Sequence, residues 1–523
     1  MLVCILLQIL FVDAARILAM YPIASISHQV VFRPITLELI KRGHEVVVIT
    51  PDPMFPKGGK EEPPRNLTEI DVHDVSYSIW KDFIKSSSGK KEGAIAQMEV
   101  AAALMKNIID EQLQVEEVKE LIKGKQKFDI LLSEACVRQA LAFSHVYKVP
   151  VIQISSFGAV IGNYETVGAP THPLLYPTPM NQRIYNLTIY EKLYQLYNNY
   201  IFNKLFYSLI DTENNNLKKH FGQHLPDVRE LENNVHMLFL NVHPIWEGNR
   251  PVPPSVIHMG SLPQKPNKEL PLDLKRYLDS SKHGVIYISF GTNVQPSLLP
   301  PEKIQMLVRT FSKLPYDVLW KWDKDVLPGK SDNIRLSKWL PQSDLLKHPK
   351  LKLFITQGGL QSTDEAIEAG VPLIGVPMLV DQWYNVEKYV HHGIGLQLEL
   401  GALNEESFTN AITTVVKDKS YRENIIRLRT LMMDQPQAPL ERAIWWIEYV
   451  LRHGGAKHLR APAANITWSQ YLELKLVAIV LSTLFSLVLV IVGIVYSLYR
   501  YVRNNYIIRA KVKRSINKNK YNI

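Results

Sequence analysis

The chain has 523 residues, 46% of them hydrophobic and 21% charged, which leaves room for two or more full cores and excludes an intrinsically disordered protein. Its net charge of +10 resembles that of a nucleic-acid binder, but eight Lys/Arg stand in an acid-free stretch from Arg500 to the end. The remainder is close to neutral, so the charge is a tail and no face for nucleic acid.

Met1 to Val12 is almost wholly apolar and too short to span a bilayer, with small residues at Ala14-Ala15. That pattern predicts a signal peptide over 1–15, although the usual basic n-region is missing. Arg16 to Pro22 then reads as a strand, followed by a polar loop from Ser25 to Gln29. Val30 to Arg42 reads as a helix closed by Gly43, and Glu45 to Thr50 as a second buried strand. This opening βαβ unit sets His28 at the carboxyl end of a parallel strand, where open α/β sheets place ligands. A lone loop histidine is otherwise a surface residue.

Residues 52–120 carry mixed helical patterns broken by turns. Phe128 to Leu132 is another buried strand, with Ser133-Glu134-Ala135 at its carboxyl end, and Pro150 to Ser155 a further one. Cys136 has no partner once Cys4 leaves with the signal peptide, which excludes an intrachain disulfide, and a structural zinc site has too few ligands. Tyr185 to Phe221 is aromatic, with Tyr190, Leu193, Tyr194 and Tyr197 at helical spacing. The pattern suits a packed stripe, with a surface near the membrane as the alternative.

Prolines at 251, 253, 254, 263 and 266 mark a stiff connection. Beyond it α/β alternation resumes. Val285 to Phe290 is a strand, Gly291-Thr292-Asn293 a loop, 301–313 a helix, and Asp317–Trp320 and Asn333–Leu336 short strands. Leu353 to Asn385 completes the series as strand, Gly358-Gly359 turn, helix, strand and the polar cluster Asp381-Gln382-Trp383-Tyr384-Asn385. Backbone N–H groups of such a glycine turn beside a helix N-terminus can bind phosphate. Ser362-x-x-Glu365 is also the pattern of a capping box. Alternating β and α through both halves predicts two parallel sheets with helices on their faces.

Leu476 to Tyr499 holds 24 uncharged residues, enough for a transmembrane helix, and the basic residues after it mark the cytoplasmic side. Sequons at Asn66, Asn186 and Asn465 fit a secretory route. The expected organisation is a signal peptide (1–15), an N-terminal domain (16–250), a C-terminal domain (251–455), a juxtamembrane segment (456–475), the span (476–499) and a cytoplasmic tail (500–523).

The string from Phe354 to Gln382 resembles the signature of the UDP-glycosyltransferase (UDP-glucuronosyltransferase) superfamily, and the resemblance covers most of 16–455. It differs at Gln357, where most members carry histidine. The resemblance implies a GT-B fold: two Rossmann-like domains across a cleft, an N-terminal one for the acceptor and a C-terminal one for the UDP-sugar. It implies that Trp339 stacks on uracil and Gln342 pairs with the base edge, with a core tryptophan as the bland reading of Trp339. It gives Glu365 to the ribose diol, and Ser289, Gly291, Thr292, Gln357, Gly359 and Gln361 to the diphosphate. Asp381 and Gln382 would hold sugar hydroxyls, or Asp381 merely begin a helix. His28 would be the general base and Glu134, where many relatives have Asp, its partner.

The expected activity is inverting transfer of a hexose from a UDP-sugar to a small lipophilic acceptor, with no prosthetic group and no metal. Glucose is favoured, because the Gln357 form resembles the arthropod branch, while glucuronate remains an alternative. The expected setting is the endoplasmic reticulum membrane, single-pass type I with a lumenal body, as monomer or homo-oligomer. A silent lipophile-binding homologue is a second reading. A dinucleotide oxidoreductase is a third, disfavoured because no G-x-G-x-x-G follows the first strand.

Overall fold

The computed structural model describes residues 14–87, 94–260, 262, 268–292 and 294–520. Nearly all of the expected signal segment, with Cys4, lies outside them, as do Asn293, Pro263 and Pro266. The chain forms two compact units, one ending at Asn465 and the other running from Ile466.

The first unit holds both sheets, and all their strand pairs are parallel. Strands β1 (Arg16–Met20), β2 (Glu45–Thr50), β3 (Leu67–Asp71), β4 (Ile130–Glu134), β5 (Val151–Ser155), β6 (Val235–Leu240) and β7 (Val256–His258) stand in the order 3-2-1-4-5-6-7. Strands β8 (Val285–Ser289), β9 (Asp317–Lys321), β10 (Ile334–Ser337), β11 (Leu351–Thr356), β12 (Leu373–Gly375) and β13 (Gly395–Gln397) follow the order 10-9-8-11-12-13. The central strands β4, β5, β6 and β8 are buried throughout, as continuous apolar runs covered on both faces should be. Each sheet reverses its winding once, between β1 and β4 and between β8 and β11, and such switch points open a crevice at the strands' carboxyl ends. Thus the expected two-sheet plan is observed.

Five expectations are corrected. The 250/251 boundary falls inside the first sheet, because β7 is its edge strand. The chain also returns to that sheet at its end: Ala443, Ile444, Ile447 and Val450 of the helix Pro439–Arg452 join Val31, Phe32, Ile35 and Leu39 in one core. Arg42 binds Glu441 at 2.5 Å and Glu448 at 3.3 Å across this contact. The first helix runs Ile26–Lys41, four residues earlier than predicted, so His28 lies in its first turn and not in a loop.

The aromatic stripe is on the surface. Tyr190 is 78% and Tyr194 53% exposed on the helix Ile189–Ser208, because Gln195 and Phe202 define its inward face. Finally, the apolar span does not end as a helix at Tyr499: one helix runs Leu474–Lys520 through the basic tail, which contains neither proline nor glycine to stop it. This helix is long and apolar enough to cross a membrane, as a membrane anchor would be.

Candidate functional site

The two switch points carry the candidate residues. In the first sheet, β1 leads into the helix that bears His28, and β4 ends at Glu134. His28 Nδ1 and Glu134 Oε1 are 2.5 Å apart, with Glu134 fully buried. The Ile23 backbone N–H donates to the other carboxylate oxygen at 3.3 Å. Ser156 Oγ, just beyond β5, lies 3.0 Å from the same His28 nitrogen, and the Phe157 ring meets the imidazole edge-on at 5.7 Å. With Nδ1 engaged, Nε2 is the nitrogen left to take a proton. Neighbouring Cys136 is no rival nucleophile: burial and then the charge of Glu134 push its thiol well above the ordinary range.

In the second sheet the loop after β8 faces the loop after β11. Ser289 Oγ accepts from the Gly291 N–H at 3.3 Å, and Gly291 has φ +78°, a left-handed conformation that suits glycine. Thr356 Oγ1 donates to Gln357 Oε1 at 3.2 Å, and the amide nitrogen lies beside Gly291. A Cβ at Gly291 would collide with that nitrogen, and one at Gly359 would lie 3.4 Å from it. Gln357 therefore presents an N–H donor between two glycines, a cradle for an anion. Thr292 is exposed beside it.

Trp339 is 67% exposed and belongs to no core, so its indole is available for stacking. Glu365 is no capping residue either: the helix Leu360–Ala369 has Gly359 as its N-cap without a side-chain cap bond, and Ser362 and Glu365 lie inside it. Gln342 is held by partners within the protein. Its Nε2 donates to Glu365 Oε2 at 2.7 Å and to Ser362 Oγ at 3.0 Å, while Oε1 accepts from Tyr287 at 3.0 Å. With both amide hydrogens engaged, the second lone pair of Oε1 is what the side chain keeps for a base N–H.

Gln361 reaches across the cleft, donating to the backbone carbonyls of Ser156 at 3.0 Å and Ser27 at 3.3 Å. These residues flank His28, so one side chain ties the glycine-turn helix to the histidine's surroundings. Asp381 accepts from Asn385 at 2.8 Å, and burial raises its carboxyl to about 6. It is the N-cap residue of the helix Gln382–His391 but makes no side-chain cap bond. Gln382 Oε1 accepts from the Met378 and Leu379 N–H groups at 2.8 Å each, which leaves its amide nitrogen for a ligand.

Sequence reasoning missed Ser156, Tyr287, Asn385 and Lys321. Lys321, the last residue of β9, had a usable signal: it lies at the carboxyl end of a strand beside the switch point. Among the described residues no cluster of three His, Cys, Asp or Glu could hold a metal ion.

Comparison with known proteins identifies the family. The family profile described as UDP-glucoronosyl and UDP-glucosyl transferase matches residues 16–509. The chain is 37% identical over 489 residues to an ecdysteroid UDP-glucosyltransferase of Spodoptera littoralis nuclear polyhedrosis virus, covering 90% of this chain and 95% of the viral protein. It is 31% identical to the UDP-glycosyltransferase UGT5 of Dactylopius coccus, covering 91% and 90%. Among solved structures, CalG4, the calicheamicin glycosyltransferase, superposes with a TM-score of 0.54 at 16% identity, over 84% of this chain and 99% of that one. The spinosyn forosaminyltransferase SpnP gives 0.55 at 17%, over 83% and 99%. At such identities these structures establish the GT-B fold alone.

Proposed function

Because this chain belongs to the UDP-glucoronosyl and UDP-glucosyl transferase family and is therefore a glycosyltransferase with a UDP-sugar donor, we propose that it transfers glucose, with inversion, to a hydroxyl of a small lipophilic acceptor, using His28 as general base. The observation that carries the base assignment is the 2.5 Å pair of His28 with buried Glu134 at the first switch point.

The acceptor oxygen attacks C1 of the sugar as the bond from C1 to the diphosphate oxygen breaks. The acceptor proton passes to His28 Nε2, the bonding pair leaves with UDP, and attack opposite the leaving group inverts C1. Glu134 holds the ring through Nδ1 and stabilises the imidazolium that forms. On the donor side, Trp339 stacks on the base and Glu365, aimed by Gln342, accepts from the ribose hydroxyls. The neutral donors Gln357, Ser289 and Thr292, with the backbone around Gly291 and Gly359, surround the diphosphate. Asp381 and Gln382 meet the sugar hydroxyls.

The names of the viral relatives support glucose as the sugar and a hydroxylated steroid as one kind of acceptor. The helix Leu474–Lys520 supports anchorage with the catalytic body lumenal, in the endoplasmic reticulum.

The test is transfer from radiolabelled UDP-glucose and UDP-glucuronate to a panel of steroids and phenols by wild-type, His28→Ala and Glu134→Gln microsomes. General-base catalysis is worth about 10²–10⁴-fold. His28→Ala should lose about that much rate with UDP binding retained, and Glu134→Gln less, because an amide still orients the ring. A His28→Ala enzyme that glucosylates a weakly acidic phenol at near-normal rate overturns the base assignment. Exclusive use of UDP-glucuronate overturns the choice of sugar.

A further inference from the structure

The side chains assigned to the diphosphate cradle, Ser289, Thr292 and Gln357, are all neutral. A departing UDP nonetheless develops further negative charge on its diphosphate as the bond to C1 breaks. Electrostatic stabilisation of such charge calls for a fixed cation or a dense set of donors.

The structure places a cation beside this cradle. Lys321 ends β9, next to β8 in the sheet, and its Nζ donates to the Gly291 carbonyl at 2.8 Å. The same ammonium lies 4.8 Å from the centroid of the Trp339 ring. It thus stands between the proposed base platform and the proposed phosphate loop, on the glycine that Gln357 also approaches. Among the described residues Lys321 takes part in no ion pair, although it is half-buried. Burial alone lowers its pKa, with no carboxylate opposing the shift. A partly buried ammonium without a counter-ion is unfavourable unless an anion completes its environment. One of its three protons is engaged by the Gly291 carbonyl, which leaves two for another acceptor.

We propose that Lys321 is the counter-charge for the donor's diphosphate, binding an oxygen of the pyrophosphate group in the loaded site. The inference rests on the donor-site reading above and adds a residue to it. A merely structural role, in which Lys321 pins Trp339 to the Gly291 loop, predicts something different. It would disturb the base platform, and so weaken uridine as much as UDP.

The experiment measures binding of UDP and of uridine to the purified full-length protein in detergent, with inorganic pyrophosphate as competitor. Lys321→Met keeps the alkyl stem, and Lys321→Gln keeps a donor for the Gly291 carbonyl without the charge. If one variant fails to fold, the other carries the test. A charge-assisted hydrogen bond corresponds to a loss of about 10- to 100-fold. Both variants should lose UDP affinity by about that factor, change uridine affinity less than about 2-fold, and lose competition by pyrophosphate, whereas Lys321→Arg retains most UDP binding. Equal losses for UDP and uridine, or no loss for either, overturn the proposal and leave the donor site standing. A wild-type protein that binds neither nucleotide overturns the donor-site reading and this inference with it.

Discussion

Asp381 is a half-buried carboxyl whose surroundings disfavour its charge. Its folded pKa is raised to about 6 from 3.8, first by burial and against the favourable bond from Asn385. A raised value means that the folded state favours the protonated acid. The stability it allows is therefore complete below about pH 4 and lost as pH rises through 6. At neutral pH the ionised group destabilises the free protein by about 2–3 kcal/mol, a burden that hydrogen bonds from sugar hydroxyls would relieve. Thermal melts from pH 4 to 7 should show the wild type losing stability relative to Asp381→Asn, most steeply at about pH 5, with the two parallel above pH 7. Melting curves whose separation is independent of pH would show that Asp381 does not titrate in this window.

At the scale of single elements, the helix Ile189–Ser208 has the composition of a core helix and the placement of a surface one. Its Thr188 cap and Glu191 satisfy its first backbone groups reciprocally, so the helix end is secured locally and not by its tyrosines. Tyr190 and Tyr194 lie on the outer face, while Phe202 is 6% exposed. Lysine at 190 or 194 should shift unfolding by no more than about 0.5 kcal/mol, as exposed substitutions do. Phe202→Ala should cost about 3–5 kcal/mol. Denaturant titration of the detergent-solubilised protein checks both, and large losses at the tyrosines would return the stripe to the interior. The glycine-turn helix Leu360–Ala369 acts differently, because Glu365 and Gln361 leave its first two turns toward different partners. One short element is thereby tied both to Gln342 and to the backbone around His28.

For the molecule as a whole, the long C-terminal helix is apolar enough to cross a membrane and so bears on where the chemistry would take place. Its uncharged stretch is followed by eight basic residues and no acid, the arrangement expected where the C-terminus is cytoplasmic. Trypsin added to sealed microsomes should trim the tail and leave the catalytic body intact until detergent is added. Digestion of the body in sealed vesicles would reverse the topology. Within the first unit the two sheets are joined by more than the connecting chain. Trp246 Nε1 donates to Asn385 at 3.1 Å, Arg183 pairs with Glu387 at 3.0 Å, and Tyr185 stacks on His391 at 3.8 Å. The helix that begins after Asp381 is therefore held along its length by residues of the N-terminal half.

The sequence by itself determined the two parallel sheets, a stretch apolar and long enough to cross a membrane, and the ends of strands where side chains would gather. Buried parallel strands are written as uninterrupted apolar runs, and glycine turns and charge-free spans are local signals that need no partner to be read. The string from Phe354 to Gln382 likewise carried the family in its own residues. Only the tertiary structure decided what depends on contacts distant in sequence. Val256–His258 and the helix Pro439–Arg452 join the first sheet because an apolar face must be covered by whatever element returns to it, and no local pattern names that element. The tyrosines of Ile189–Ser208 face outward because periodicity gives the spacing of a stripe but not the side on which the core lies. Gln342 serves Glu365, and Gln361 reaches the backbone around His28, because a hydrogen-bonding group is assigned by which neighbours come within about 3 Å. Lys321 became legible for the same reason: a charge with no counter-charge among the described residues can be recognised only when its surroundings are known.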